Sequence, residues 1–238
     1  NKNYSFVMMY WLYIIPLTLL ATGCGGGNRP SAASGSGDST HPGLILTTDM
    51  LEDVRAEAEG SHQHLFAPLQ AYADAFCQRE IPAFTGAHNR YREMGDGLPS
   101  LGLMYLLSGD QKYLNAATRW VNALLDTESW DGSQNLGRSS WIIGTALIYD
   151  WLYDKLDEDL KSRILERLVT EADEVIADPS DTRALSNHLL IETSAVGITG
   201  MILDGDHPDR QRLLDQANEW AMYIIDHAPM DGSWGEGV

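Results

Sequence analysis

The sequence predicts an all-α fold, an incomplete (α/α) toroid of helix hairpins. Three observations lead there. From about Thr47 onward apolar residues recur at helical spacing. No run of strand length alternates apolar with polar residues. Gly-Asp joints divide the helical stretches into pairs, and part of the pattern repeats.

The first 40 residues stand apart from this body. Lys2 precedes an apolar stretch, Phe6 to Leu20, which closes on Ala21, Thr22, Gly23 and Cys24. A basic residue, a short apolar run and small residues in that order predict an export signal over 1–24. Small residues ending at Cys resemble a bacterial lipobox, which makes Cys24 the expected lipidation site and a lipid anchor the expected membrane contact. The leucine of that pattern lies four places before the cysteine, at Leu20, instead of three. A plain signal peptide or a single anchor is the alternative, and Pro16 disfavours a spanning helix. Residues 25–40 are rich in Gly and Ser and predict a flexible tether. The folded domain is expected over 41–238.

Its elements follow in order. Asp49 to Glu59 predicts an amphipathic opening helix capped by Thr47 or Thr48, with Leu51 and Val54 on one face. Ser61 to Arg79 predicts a second, with Leu65, Leu69, Tyr72 and Phe76 aligned. Residues 82–99, rich in Gly and Pro, predict a loop. Three hairpins are then expected: Leu98–Leu107 with Tyr113–Leu125, Ser140–Tyr153 with Leu160–Ile176, and His188–Leu203 with Arg210–Ile225. Gly at the joints suits a helix C-terminus, and the Asp after it suits the next N-terminus. Leu-Ser-Gly-Asp, Trp120 and Asp131-Gly132-Ser133 are echoed by Leu-Asp-Gly-Asp, Trp220 and Asp231-Gly232-Ser233. The second copy carries a short insertion, His207 to Arg210. Repeated hairpins imply stacking, because one hairpin cannot bury its apolar stripe alone. A TPR-like superhelix is the alternative, but its repeat is nearer 34 residues and more regular.

Composition narrows the function. The net charge is −18 and the sequence pI about 4.5, which excludes nucleic acid as a partner, since phosphate binding needs clustered Lys and Arg. The same charge means that an anionic ligand would need a local pocket of donors within a negative field. Two cysteines, Cys24 and Cys77, provide no disulfide framework, and Cys77 reads as a small buried hydrophobe. No His pair has the spacing of a zinc-binding helix, so neither metal nor cofactor is expected in this stretch. Asn1 in place of Met, and an end at Val238 inside a motif-like run, predict a piece of a longer protein.

Four segments together resemble the heparinase II/III-like polysaccharide lyase family: HPGLILTTDMLEDVRAEAE, IYDWLYDKLDEDLKSRILERL, LSNHLLIETSAVGITGMILDGD and PMDGSWGEGV. They cover most of 41–238, in the family's order. The family includes heparin and heparan lyases and oligoalginate lyases. The resemblance implies an α/α toroid followed by a β-sandwich domain that this chain lacks, where a structural metal would be possible. It also implies β-elimination of a uronate-containing glycan (heparin-, alginate- or chondroitin-like), hence an anionic polysaccharide or oligosaccharide as partner and an exported, periplasmic or cell-surface location. The family's catalytic Tyr would follow the Glu-Gly motif, beyond Val238.

Such a lyase removes the C5 proton beside a carboxylate, whose charge opposes carbanion formation. Donors that neutralise it stabilise the enolate-like transition state. Asn187 and His188 suit that role: both can donate to a carboxylate, and they open a helix, whose N-terminus favours an anion. A capping Asn beside a structural His is the alternative. Arg138 lies in the loop DGSQNLGRSSW just ahead of a helix and is a candidate substrate contact, with Gln134 and Asn135 as further hydrogen-bonding candidates. Trp141 and Trp234 are candidate sugar-stacking residues, with Trp130 a further one. Glu236 is a candidate beside the missing Tyr. Tyr149, Tyr153 and Tyr223 lie on helical faces and read as packing residues. A glycoside hydrolase would need two positioned acids, and no such pair is recognisable. A glycan-binding lipoprotein without catalysis is the third reading.

Overall fold

The computed structural model describes residues 41–84, 92–130, 135–180 and 186–228. These residues are all-helical, with no strand among them. In chain order the helices are α1 (Met50–Glu59), α2 (Gln63–Gln78), α3 (Arg92–Ser108), α4 (Gln111–Leu125), α5 (Leu136–Trp151), α6 (Glu158–Ala177), α7 (Asn187–Ile202) and α8 (Arg210–His227), with a 3₁₀ turn at Tyr153–Lys155. The expected hairpins are α3/α4, α5/α6 and α7/α8.

The helices form two layers, and burial tells them apart. Every residue of α5 from Gly137 to Trp151 is buried, and α7 is buried along most of its length. Such helices must be surrounded by others. By contrast α4 buries one stripe, Tyr113, Leu114, Ala116, Ala117, Trp120, Val121 and Leu124. On α8 the stripe is Leu213, Ala217, Trp220, Ala221 and Ile224. Thus α3, α5 and α7 form the inner layer, and α2, α4, α6 and α8 the outer one. The two echoed tryptophans, Trp120 and Trp220, occupy equivalent places, each buried on the outer helix of its hairpin.

Capping explains the joints. Asp110 accepts from the Lys112 amide at 3.0 Å, and Asp157 from the Leu160 amide at 2.8 Å, each closing an outer helix. Gly109 sits at φ 69°, the left-handed conformation that ends α3. At α1, neither Thr47 nor Thr48 supplies a side-chain cap: Asp49 holds the N-cap place, and the backbone carbonyls of Thr47 and Thr48 accept from Met50 and Leu51.

The largest departure from expectation is at 92–99, expected as loop and observed as the first two turns of α3. Its glycines are there for contact. A Cβ on Gly95 would meet the backbone of Ser140, and one on Gly97 the ring of Phe76. Pro99 has no N–H for the Gly95 carbonyl four residues back, and that carbonyl lies against Gly144 of α5. Two helix backbones therefore touch directly, and helix propensity yields to packing.

This contact also sets direction. Gly95 meets Ser140 and Gly144, whereas Gly102 meets Ile148 and Trp151, so α3 and α5 run parallel. Asn135 reaches Glu192 near the start of α7, and Tyr149 senses the charge of Asp204 just past its end, so α7 runs the same way. All three inner helices point their N-termini at one pole.

The opposite pole holds the start of the domain. His41 Nδ1 lies 2.6 Å from Asp150 Oδ1, and the amides of Gly43 and Leu44 donate to the same carboxylate at 3.0 and 2.8 Å. Trp151 Nε1 donates to the Leu44 carbonyl at 3.1 Å. His41 also stacks on Tyr153 at 4.1 Å and meets Tyr149 edge-on at 5.7 Å. The His-Pro and Tyr-Asp-Trp segments, 109 residues apart, are thus two halves of one latch.

Candidate functional site

The N-terminal pole gathers Arg92 on α3, Asn135 and Arg138 at α5, and Asn187 and His188 on α7. A helix N-terminus leaves backbone N–H groups without intrahelical partners and favours an anion. Here three such ends lie side by side.

Ser186 is the N-cap of α7 and accepts from the Leu189 amide at 3.4 Å. Asn187 is therefore the first helical residue and does not serve as the cap. Asn187 is exposed and His188 half-buried, both on the first turn. Two groups that can donate to a carboxylate thus stand together where the helix dipole favours one.

Beneath them runs a buried polar network. Arg138 Nε donates to Glu171 Oε2 at 2.8 Å, and its Nη1 to Asn135 Oδ1 at 2.7 Å. Glu171 Oε1 pairs as an ion with Arg167 Nη2 at 2.9 Å and accepts from the Trp130 amide at 3.3 Å. Asn135 Nδ2 donates to the Asp178 carbonyl at 2.8 Å and to Glu192 Oε1 at 3.2 Å. Glu192 further accepts from the Ser180 hydroxyl at 2.6 Å and amide at 3.0 Å. Burial pushes the Glu192 carboxyl above its ordinary range, outweighing these bonds and the nearby His188. Asn135 takes a left-handed conformation, φ 55°, which Asn tolerates and which turns the chain into α5.

The expected site residues divide accordingly. Arg138, expected in the loop, lies in the first turn of α5, is only 6% exposed and braces α5 to α6 through Glu171, because α5 begins four residues earlier than its periodicity suggested. Trp141 is fully buried, edge-on to Trp130 at 5.7 Å and to Phe84 at 5.0 Å. Trp130 is likewise buried, under the Arg167 guanidinium. As they stand, these indoles offer no face to a sugar and form an aromatic floor. Gln134, Trp234, Glu236 and Cys24 lie outside the described residues.

The tyrosines pack. Tyr149 and Tyr153 belong to the latch at the far pole, and burial pushes the Tyr149 phenol upward. Tyr223 stacks on His227 at 4.0 Å. Cys77 is half-buried, and burial raises its thiol as well, which disfavours the reactive thiolate. Among the described residues no group of three or more His, Cys, Asp or Glu is placed to hold a metal ion. Among them, too, no helix is long and apolar enough to cross a membrane.

Glu171 and Glu192 escaped the sequence reading, yet a signal existed. Glu192 is the one charged residue between Leu189 and Ile202, and Arg138 and Asp150 are the two charged ones in α5. A charge inside an apolar helix that packs on all sides must be paired.

No protein-family profile matches the chain. Over 202 residues it is 23% identical to an exo-oligoalginate lyase of Saccharophagus degradans, an alignment covering 74% of this chain and 27% of the relative. The chain thus spans about a quarter of the length of that curated protein. This similarity supports a distant relationship to a polysaccharide lyase.

Proposed function

We propose that the chain is the helical part of a polysaccharide lyase that cleaves a uronate-containing glycan by β-elimination. In this reading Asn187 and His188 donate to the uronate carboxylate and so stabilise the charge that develops when C5 loses its proton. The base and the rest of the cleft come from beyond the stretch described. The single observation that carries the reading is the pairing of these two donors on the first turn of an inner helix, in a chain similar to an oligoalginate-cleaving enzyme. The net charge of −18 does not oppose it, because recognition rests on local donors and helix ends at one pole.

The reading includes further proposals. The two helical layers are an arc of an (α/α) toroid, a β-sandwich domain follows it, and residues 1–24 export and anchor the protein through Cys24. Alginate, the class named by the relative, is the first substrate to try.

The test uses the complete protein. Incubated with alginate, heparan or chondroitin oligosaccharides, it should generate the ultraviolet absorbance of an unsaturated uronate. Asn187→Ala and His188→Ala should each lower that rate by about 10²–10³-fold, the usual loss for one donor to a developing anion, with the helical spectrum unchanged. Hydrolysis without the absorbance would reassign the protein to the hydrolases. Saturable binding without cleavage would make it a glycan-binding protein.

A further inference from the structure

We propose that Glu192 is the positioning residue of this pole: through Asn135 and Ser180 it fixes where the first turn of α7 sits against the start of α5, and so aims Asn187 and His188 together. The inference rests on the lyase reading above and adds a residue to it.

The argument starts from an unfavourable placement. Glu192 is fully buried and is the one charged residue between Leu189 and Ile202. A buried carboxylate is tolerated where donors surround it, and here they come from two other elements. Asn135 belongs to the N-cap of α5, and Ser180 to the segment leaving α6. Simple stability would be served as well by an apolar side chain of similar volume. What the carboxylate adds is direction, because hydrogen bonds fix angle and distance where apolar contacts slide.

Position along the helix makes this relevant to the site. His188 lies four residues before Glu192, on the same face of α7 one turn nearer the pole. The two are close enough for the charge of one to act on the other. A rotation or slide of α7 that breaks the Glu192 bonds therefore displaces Asn187 and His188 by a similar distance. Glu192 does not touch substrate in this scheme. It acts through the residues above it.

The chemistry suggests a specific cut. Glu192→Gln is too gentle, because the Ser180 amide lies 3.2 Å from Oε1 as well, and a glutamine oxygen placed there keeps the bonds from Asn135 and Ser180. Glu192→Met keeps the length of the side chain and offers neither Asn135 nor Ser180 an oxygen. Shape is nearly kept and the α5–α7 link is lost.

The experiment is a double-mutant cycle in the complete protein, measuring turnover of uronate oligosaccharide. Glu192→Met should lower kcat by about ten- to a hundred-fold, the scale of a displacement near 1 Å, with KM changed by less than about three-fold and unfolding still cooperative. Combined with His188→Ala, it should cost clearly less than it does alone, since one of the two groups it positions is gone. If Glu192→Met prevents folding, Ser180→Ala takes its place in the cycle, with the same non-additivity expected. Losses that multiply in the double variant, or a full kcat in the single one, overturn the inference while leaving the lyase reading intact. Full turnover in His188→Ala overturns the lyase reading itself.

Discussion

Gly144→Ala tests the claim that the inner layer is held by direct contact of backbones. Two effects oppose each other. Alanine is the better helix former by about 0.8–1 kcal/mol, so an open site would gain stability. At Gly144, however, the added Cβ would lie 2.9 Å from the Gly95 carbonyl carbon and 3.1 Å from its Cα. Both are backbone atoms and neither can rotate away. Relief requires α3 and α5 to part by on the order of 1 Å, which loosens the buried contacts around them. Overpacking of this kind costs typically about 1–3 kcal/mol, and a backbone contact belongs at the upper end. The expected balance is a net loss of about 2 kcal/mol, the upper cost less the propensity gain. At about 2–4 °C per kcal/mol for a domain of this size, the thermal midpoint falls by about 4–8 °C. Gly205→Ala is the internal control, since nothing lies within 4 Å of its added Cβ, and it should be neutral or stabilising by about 0.5 kcal/mol. Circular dichroism on heating, with urea melts in parallel, reads both variants. A Gly144→Ala protein as stable as the parent would refute the backbone-contact argument.

Other perturbations probe other contacts. Asp150→Ala strands the Gly43 and Leu44 amides and frees His41; a loss of about 2–4 kcal/mol is expected, with new proteolytic cleavage within 41–49, and an unchanged digestion pattern counts against the latch. Arg138→Met removes one of two cations from Glu171 and leaves Arg167 in place, so the loss should fall short of the roughly 3–5 kcal/mol for breaking a whole buried pair; urea midpoints decide. For Glu192, burial raises the folded-state carboxyl above its unfolded range. Between those two values the folded chain binds the extra proton, so this contribution is complete below the ordinary glutamate range and is lost as pH rises through the raised value. Glu192→Gln should flatten that part of the stability profile, and a profile parallel to the parent's would contradict the assignment.

What was legible in the sequence, and what was not, follows the range of the interactions. The outer helices were readable to within two or three residues, because one apolar stripe and an Asp cap, as in Tyr113–Leu124 behind Asp110, are local signals. The start of α3 was not. Gly95, Gly97 and Pro99 carry the local signature of a loop, and only the nearness of α5 and α2 makes a helix the better answer. The site shows the same division. Asn187 and His188 could be found because they open a helix. Arg138 and Trp141 were noticed for their chemistry, but their side chains point inward, toward Glu171 and Trp130, on partners set by the packing of three helices. Glu192 could have been found by asking what a lone carboxylate does in an apolar run.

The latch at Asp150 also decides on which side of the domain its start lies. The first described residues, His41 to Leu44, are held on the face remote from Asn187 and His188, so a label or bead attached at residue 41 would sit behind the domain and leave those donors clear.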